Sequence, residues 1–332
     1  MKAIFNRLFQ YQTLSRSEAE EVLINIAAGH YFGSQIASFL TIFMMRPVTL
    51  DELQGFRDAL LNLCINVDLS DFNTIDVCGT GGDGFNTFNI STLSSFVLAG
   101  CGEKVAKHGN YGVSSNCGSS NILEFAGYRF TTDTDQFKKE LDQAGICFLH
   151  APLFNPALKE VAGIRRQLGV KTFFNMLGPM VNPSKPKNQL VGVYSHELAR
   201  LYNYVYQLGS TNYSIIHSND GYDEISLTSP FRVITKNSEE LLTPEGVGKK
   251  TLTPEQLFGG NTVDEASKIF MNVLNGKGTE AQNSVVNINS ALALQVMHRE
   301  KSLDECLALT NESIFSGKAL LAFNKLIELS NQ

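Results

Sequence analysis

The first stretch of the chain, to about residue 70, carries apolar side chains at the three-to-four-residue spacing of amphipathic helices. Ser17 with Glu20, and Thr49 with Glu52, have the spacing of capping boxes at helix starts, and Ser34 is a candidate start for a helix between them. The apolar stripes are Ala19, Val22, Leu23, Ile26 and Ala27; Ile36, Phe39, Leu40 and Phe43; and Leu53, Phe56 and Leu60. The pattern predicts three short helices that pack together.

Near Asn73 the pattern changes to short apolar runs that alternate with helical stretches. Candidate strands lie at 74–78, 105–106, 189–194 and 213–217, and helical patterns lie at 92–98, 120–125 and 196–206. Such alternation is typical of an α/β domain with a mostly parallel central sheet.

Two later segments are predicted to be helical. Residues 159–177 have a weaker helical pattern that Pro179 and Pro183 would end, and the chain from Asp264 onward is mostly helical with a last amphipathic helix at about 319–329. We therefore predict a small helical domain at residues 1–70, joined by a later helical segment near 160–185, and an α/β domain at residues 71–332.

Composition and charge exclude several classes of protein. Hydrophobic residues make up 43% and charged residues 18% of the 332 residues, which suits a folded globular chain. A net charge of -6 without a long basic run disfavours nucleic-acid binding, and no apolar run is long enough to span a membrane. The six cysteines are scattered without a CxxC pair, and the amino terminus lacks a secretory pattern, so we expect a cytoplasmic protein with reduced thiols.

A glycine loop, Gly79-Thr80-Gly81-Gly82-Asp83-Gly84, follows the first predicted strand. It formally fits the dinucleotide fingerprint, but Asp83 would repel a bare pyrophosphate, and no clean strand-end acid follows about 20 residues later. The Gly-Lys-Ser/Thr of a Walker loop is missing. Asp83 better suits a sugar hydroxyl, or a site where a cation offsets phosphate charge. A tight turn without a ligand is the other interpretation of the loop.

The residues after this loop, 86–92, supply amide and hydroxyl groups at the start of a predicted helix. Backbone N–H groups at a helix start are unsatisfied and attract anions, and the Ser91 hydroxyl is a candidate magnesium ligand. A helix cap without a ligand is the alternative.

Two further polar clusters strengthen the interpretation as a phosphate site. Lys107 and His108 precede a second glycine-punctuated loop, in which Ser114, Ser115 and Ser119 could donate to phosphate oxygens. The adjacent acids Asp223-Glu224 follow another strand, where paired carboxylates could hold magnesium near phosphates, with Asp220 as a weaker candidate. Adjacent acids after a glycine are more often solvated surface.

Five motifs in this order closely resemble the anthranilate phosphoribosyltransferase family over nearly the whole chain. They are the segments 76–83, 87–92, 107–110, 172–179 and 223–226. The resemblance implies a helical domain plus a larger α/β domain of the nucleoside phosphorylase/phosphoribosyltransferase type, and a homodimer assembled through the helical domain. It also implies transfer of the phosphoribosyl group of 5-phosphoribosyl 1-pyrophosphate (PRPP) to anthranilate, in tryptophan biosynthesis, with Mg2+ as cofactor.

Transferred position by position, the resemblance and the residue chemistry give three sets of ligands. The anthranilate ligands are Gly79, Asn110 and Arg165. Arg165 is suited to this role because a guanidinium binds a carboxylate well, and the neighbouring Arg166 is the alternative. The magnesium ligands are Ser91, Asp223 and Glu224. The PRPP site comprises Gly79, Gly82, Asp83, Thr87, Asn89, Ile90, Ser91, Thr92, Lys107, His108, Gly109, Asn110, Ser114, Ser115 and Ser119. We find no compelling general base.

Three positions depart from the family pattern. Tyr111 stands where the family usually has arginine, which could weaken one phosphate contact. Ser120-Asn121 stands where it often has Ala-Asp, and Asn155 where it usually has histidine, which could alter the entry route of anthranilate.

Two rival functions follow from the same architecture. A nucleoside phosphorylase would use phosphate and a nucleoside, but the glycine loop and the run at 87–92 favour the transferase. A non-enzymatic nucleic-acid-binding relative is disfavoured by the acidic charge and by the intact pair Asp223-Glu224.

Overall fold

The structure is a computed structural model that describes residues 1–112, 116–156 and 159–332, and these divide into two units. The first unit contains Met1–Val67 and Ala151–Lys185, and the second contains Asp68–His150 and Pro186–Gln332. Within those described ranges, no helix combines the length and the apolar character needed to cross a bilayer.

The first unit is entirely helical in its regular structure. Its helices are α1 Lys2–Leu8, α2 Arg16–Ala27, α3 Gly33–Met45, α4 Leu50–Leu63, α8 Ala151–Phe154 and α9 Lys159–Leu168, with 3₁₀ turns at Phe173–Met176 and Gly178–Val181. The capping box predicted at Thr49 and Glu52 is confirmed, since Thr49 Oγ1 accepts from Glu52 N at 3.3 Å and Glu52 Oε2 accepts from Thr49 N at 2.9 Å.

The start of α2 differs from its prediction. The capping box is formed by Ser15 and Glu18, which precede the predicted Ser17 and Glu20 along the chain. Both pairs have the required three-residue spacing, so the spacing alone does not choose between them. Glu18 is also held by an ion pair with Arg7, which favours the earlier start.

Aromatic side chains form the centre of the first unit. Phe56 stacks on Phe173 with ring centroids 4.2 Å apart, and Phe43 packs edge-on against both rings. Edge-to-face and offset contacts add stability beyond area burial. Phe173 belongs to the segment 159–177, which was predicted as one helix, but α9 ends at Leu168 because Gly169 adopts a positive φ of +65°.

The second unit is an α/β unit built on one sheet. Its strands are β1 Thr74–Gly79, β2 Lys104–Gly109, β3 Ile146–His150, β4 Asn188–Gly192, β5 Asn212–Ser218, β6 Phe231–Thr235 and β7 Glu239–Leu242. Its helices are α5 Ile90–Gly100, α6 Ser119–Phe125, α7 Thr134–Ala144, α10 His196–Gln207, α11 Val263–Leu274, α12 Glu280–Met297, α13 Leu303–Phe315 and α14 Lys318–Ser330. The predicted fold class is confirmed.

The strand order is β3-β2-β1-β4-β5-β6-β7. The first five strands in this order are parallel, and β6 and β7 add as antiparallel edge strands. The chain leaves β1 toward β2 on one side and later returns to β4 on the other. The carboxyl ends of β1 and β4 therefore flank the switch point, where open α/β sheets bind their ligands.

Strands β3, β6 and β7 and helices α1, α7 and α8 were not predicted from the sequence. Strand β3 has only five residues, all buried. Such a short apolar run has no periodicity that separates a strand from a helix.

Candidate functional site

Two glycines end the neighbouring strands β1 and β4 and face each other in register, Gly79 opposite Gly192. A Cβ atom on Gly79 would lie 2.3 Å from Asp223 Oδ2, and one on Gly192 would lie 1.5 Å from the Asp223 carbonyl oxygen. Only glycine at both positions lets Asp223 reach the switch point. Gly192 was not predicted as a site residue, although a glycine inside a predicted strand is a signal of close backbone approach.

The glycine loop turns directly beneath Asp223. Gly81 N donates to Asp223 Oδ2 at 2.6 Å, and Asp83 Oδ1 accepts from Phe85 N at 3.1 Å. Gly81 and Gly82 have φ values of +65° and +74°, which L side chains rarely adopt. The loop and residues 223–226, which we call the acidic segment, are distant in sequence. The contact between Gly81 and Asp223 brings them together in one site.

An aromatic pair joins the same two segments. The rings of Phe85 and Tyr222 stack with centroids 3.9 Å apart, and Tyr222 is 3% exposed. Phe85 directly follows the glycine loop and Tyr222 directly precedes Asp223. The stack was not predicted, because it pairs residues that only the fold brings together.

At the start of α5, a protein carboxylate occupies the position that was predicted for an anion. Ser91 N donates to Glu224 Oε1 at 3.0 Å, so this amide is satisfied within the chain. A carboxylate there is favoured by the helix dipole. Ile90 and Thr92, both predicted as PRPP ligands, are each only 1% exposed, so neither residue presents surface to a ligand in this structure.

The segment between the loop and α5 is held from outside by residues 257–260. Thr87 forms a β-bridge with Phe258, and Asn86 Nδ2 donates to the Gly260 carbonyl at 2.8 Å. Asn89 Nδ2 donates to the Cys117 carbonyl at 3.0 Å. Residues 257–260 are Leu-Phe-Gly-Gly, and this glycine pair was not predicted to belong to the site.

Strand β2 places Lys107 and His108 inside the unit. Lys107 is 2% exposed, and its Nζ donates to the Val77 carbonyl of β1 at 2.8 Å. His108 is 7% exposed, and its backbone N–H donates to Asp76 Oδ1 at 3.2 Å. Lys107 thus lies under the site as a buried cation.

The loop after β2 is closed at its base. Asn121 Oδ1 accepts from Gly112 N at 3.0 Å and from Gly118 N at 2.9 Å, and Ser119 Oγ donates to the Asn110 carbonyl at 3.3 Å. Asn121 stands where the family often has aspartate, and its amide oxygen accepts both of these backbone hydrogen bonds. Ser114 and Ser115, predicted as phosphate ligands, lie outside the described residues.

Tyr111, which stands in place of the usual arginine, points toward α6. Its hydroxyl donates to Glu124 Oε1 at 3.1 Å, and its ring packs edge-on against His150 with centroids 5.0 Å apart. Burial lowers the pKa of His150 to about 4, so the ring is neutral near pH 7. Tyr111 supplies no positive charge to the site.

Carboxyl groups dominate the electrostatics of the switch point. Burial, followed by the charge of Asp83, raises the pKa of Asp223 to about 8. Burial and the charge of Asp223 raise the pKa of Glu224 well above its usual range, and Lys107 opposes this rise. Each shift means that uncompensated negative charge is costly at this point. A bound cation would relieve that cost.

These carboxylates fit a magnesium ion that also binds phosphates. In the described part of the chain, no three His, Cys, Asp or Glu side chains form a cluster able to hold a metal alone. Magnesium usually takes one or two carboxylates and completes its shell with water and substrate phosphates. The pair Asp223 and Glu224 meets that requirement, and the hydroxyl of Ser91 belongs to the residue whose N–H binds Glu224.

Arg165, the predicted carboxylate ligand, lies on α9 in the helical unit. Its Nη2 donates to Asn175 Oδ1 at 3.3 Å, and its guanidinium lies 5.3 Å from the centroid of the Phe174 ring. Among the described residues it has no ion-pair partner, and burial lowers its pKa. Its neighbour Arg166 is exposed. Asn175, which also accepts from Thr172 N at 3.1 Å, is a supporting residue that was not predicted.

Comparison with protein families agrees with the two-unit fold. Residues 71–320 match the a/b domain of a glycosyl transferase family, and residues 2–64 match the helical bundle domain of such a family.

Curated relatives match over the full chain. The anthranilate phosphoribosyltransferase of Flavobacterium johnsoniae is 58% identical over 330 residues, which cover 99% of this chain and 100% of the relative. That of Bacteroides thetaiotaomicron is 53% identical over 332 residues, covering 100% of both chains.

Solved structures are similar over the same length. The anthranilate phosphoribosyltransferase of Thermus thermophilus has a TM-score of 0.88 at 30% identity, with 100% of both chains covered. The Saccharomyces cerevisiae enzyme in complex with PRPP and Mg has a TM-score of 0.90 at 27% identity, covering 98% of this chain and 96% of that one. The resemblance predicted from the five motifs is confirmed.

Proposed function

The chain belongs to the anthranilate phosphoribosyltransferase family, and from this premise we propose that it transfers the phosphoribosyl group of PRPP to the amine of anthranilate. The products are N-(5-phosphoribosyl)anthranilate and pyrophosphate, in tryptophan biosynthesis. The observation that supports this most directly is the contact of the glycine loop with the acidic segment through Gly81 and Asp223, since it joins a phosphate-binding loop to a cation-binding pair.

The PRPP site in this proposal surrounds the carboxyl ends of β1 and β2. Gly79, Gly82 and Asp83 form its loop, and Asp83 binds a ribose hydroxyl or a cation-bound water. Residues 87 and 89–92 supply backbone and hydroxyl groups, while residues 107–110 and Ser119 form the wall from β2. Ser91 N already donates to Glu224, so the proposal assigns the contact with the ligand to the Ser91 hydroxyl.

Magnesium is held, in this proposal, by Asp223, Glu224 and the Ser91 hydroxyl. The raised pKa values of these two carboxyl groups support it, because a nearby cation would favour their charged forms at pH 7. When bound, magnesium supplies positive charge that stabilises the departing pyrophosphate. The yeast relative with PRPP and Mg supports the same cofactor here.

Anthranilate, in this proposal, is bound through its carboxylate by Arg165. Arg165 suits this role because its guanidinium is half-buried and has no acidic partner among the described residues. A guanidinium binds a planar carboxylate in a two-pronged geometry that lysine cannot match. Asn175 Oδ1 accepts a hydrogen bond from Arg165 Nη2 and so orients the guanidinium group.

The reaction is a displacement at the anomeric carbon of the ribose, in which the aromatic amine attacks as pyrophosphate leaves. Aromatic amines are poor nucleophiles, so the chain contributes by alignment and by stabilising the leaving group. Alignment of two substrates can lower a barrier by at most about 7–11 kcal/mol. Loss of the proton after attack does not require a general base.

An assay with anthranilate and PRPP tests this function, since the fluorescence of anthranilate changes on ribosylation. We expect turnover that depends on both substrates and on Mg2+. Phosphorolysis of a nucleoside without anthranilate turnover would instead identify a nucleoside phosphorylase. DNA retention at low salt without turnover would identify a nucleic-acid-binding relative.

Two further properties belong to the same proposal. We propose a homodimer formed through the helical unit, supported by its exposed apolar side chains Phe32 and Met45, each 79% exposed. We also propose a cytoplasmic location, supported by the six cysteines, none of which forms a disulfide bond in the described part of the chain.

A further inference from the structure

The acidic segment lies outside every helix and strand, so its buried backbone needs hydrogen-bond partners from elsewhere. Ile225, directly after Glu224, is 0% exposed. Its N–H donates to Asn289 Oδ1 at 3.1 Å, and its carbonyl accepts from Asn289 Nδ2 at 2.9 Å. One amide side chain therefore does for Ile225 what a neighbouring strand does in a sheet.

Asn289 is itself held rigidly. It is 2% exposed and lies within α12, which packs against α5, β4 and β5. Its Nδ2 also donates to the Val285 carbonyl of the same helix at 2.8 Å. A side chain fixed in this way on a core helix can set the position of a loop to the accuracy that a binding site needs.

The segment does not take its conformation from local preference alone. Leu227 has a φ of +59°, a left-handed conformation that leucine rarely adopts, and it is 0% exposed. Such conformations persist only where the surroundings hold them. A second contact comes from β5, where Ser218 Oγ donates to the Glu224 carbonyl at 2.7 Å. Tertiary contacts from α12 and β5 thus hold the backbone that carries both carboxylates.

We propose that Asn289 is a positioning residue for the reaction, acting through the Ile225 backbone on the carboxylates of Asp223 and Glu224. The inference rests on the proposed function, because those two residues are the magnesium ligands of that proposal. Asn289 does not need to touch the substrate. Its role is to keep the two carboxylates where the magnesium-bound pyrophosphate requires them.

The same helix provides a matched control. Asn287 is also 2% exposed and also uses its amide within the core, donating to the Leu307 carbonyl at 3.0 Å and to Thr310 Oγ1 at 2.8 Å. Those partners belong to α13, not to the acidic segment. Truncation of Asn287 or of Asn289 removes a buried amide of the same size from α12, but only Asn289 contacts Ile225.

The experiment compares Asn289→Ala with Asn287→Ala in the full-length protein. PRPP is titrated calorimetrically in the presence of Mg2+, melting temperatures are recorded, and the KM for anthranilate is measured separately. Support for metal ligands from neighbouring side chains typically changes affinity or activity by about 10–100-fold. We expect such a weakening of PRPP binding in Asn289→Ala, less than a threefold change in Asn287→Ala, and little change in the KM for anthranilate in either variant.

Equal binding of PRPP by the two variants, at similar melting temperatures, would overturn the positioning role. If Asn289→Ala does not fold, Asn289→Asp replaces it, since that variant keeps the volume and the Oδ1 acceptor for Ile225 N but loses the Nδ2 donor. The wild-type titration separates the two proposals. PRPP binding that does not depend on Mg2+ in the wild-type protein would overturn the metal assignment itself, and the positioning role with it.

Discussion

At the scale of single residues, the site depends on two carboxylates that the rest of the unit brings to the glycine loop. Asp223 meets the loop through Gly81 N, and Glu224 meets α5 through Ser91 N. Asp223 is buried and Glu224 is partly buried, and the carboxyl group of each has a raised pKa. The free-energy cost of negative charge on these two carboxyl groups would be offset by a cation that binds together with a phosphate-bearing substrate.

Removal of both charges tests the metal assignment. The double variant Asp223→Asn with Glu224→Gln keeps the acceptor oxygens but loses the negative charge. We expect kcat/KM for PRPP to fall by roughly 100-fold or more, as when a charge-stabilising group is removed from an active site. Steady-state kinetics at several Mg2+ concentrations measure this.

Asp220→Asn is the matched control. Asp220 accepts from Ser229 Oγ at 2.7 Å and also from the Thr228 hydroxyl, so its carboxylate is engaged within its own turn. We expect little change in magnesium dependence. Unchanged kinetics in the double variant would refute Asp223 and Glu224 as ligands.

Arg165→Ala tests the anthranilate assignment. We expect the KM for anthranilate to rise by about 10-fold or more, since bonds to charged groups contribute about 1.5–3 kcal/mol. The KM for PRPP should change little. Arg166→Ala, at the exposed neighbour, is the control, and equal effects of Arg165→Ala on both substrates would contradict the division of roles.

At the scale of elements, the approach of strand ends β1 and β4 to the acidic segment depends on the absence of side chains. Gly192→Ala would place a Cβ atom 1.5 Å from the Asp223 carbonyl oxygen, so the segment must move. We expect a loss of stability of about 1–3 kcal/mol, as for overpacking, with a larger loss of PRPP binding. Gly209→Ala, where the nearest atom is at 3.5 Å, should have neither effect in denaturation and binding measurements.

The packing of α7 carries a pH dependence. Burial raises the pKa of Glu140 to about 7, while the hydroxyl of Tyr128 donates to it at 2.9 Å. The folded state therefore binds this proton more tightly than the unfolded state. Its stability contribution is full below the ordinary glutamate pKa of 4.5 and is lost as pH rises through about 7.

Glu140→Gln should remove this part of the pH dependence. The effect amounts to at most about 3 kcal/mol between the two limits, from about 1.4 kcal/mol per pKa unit. Chemical denaturation of the wild-type and variant proteins at pH 5 and pH 8 measures the difference. An unchanged slope in the variant would show that Glu140 does not carry it.

At the scale of the whole molecule, the exposed apolar side chains of the helical unit underlie the proposed dimer. Phe32→Ser with Met45→Gln should shift the protein toward a monomer in light scattering, because burial of these side chains would stabilise the interface. Leu321→Ser is the control, since Leu321 is 67% exposed on α14 in the other unit. A dimer that persists in the double variant would place the interface elsewhere.

Several parts of the fold and of the site could be read from local sequence, because they are local in their physics. The helical stripes, the strand before the glycine loop and the Thr49–Glu52 cap depend on spacing within a few residues. The motifs at 76–83 and 223–226 likewise indicate the family from the sequence alone. Ser15 and Glu18, by contrast, were missed in favour of an equally spaced pair, because the deciding contact to Arg7 is not local.

What only the tertiary structure decided are the contacts between segments far apart in the chain. Three such contacts are the close approach of Gly192 to Asp223, the stacking of Phe85 on Tyr222 and the hydrogen bonds of Asn289 with Ile225. No periodicity in the sequence predicts them, because each joins residues from separate segments. The sequence by itself determined which chemical groups the protein has and which family it resembles. The fold determined how they are held, because buried backbone and buried charge must find partners wherever packing supplies them.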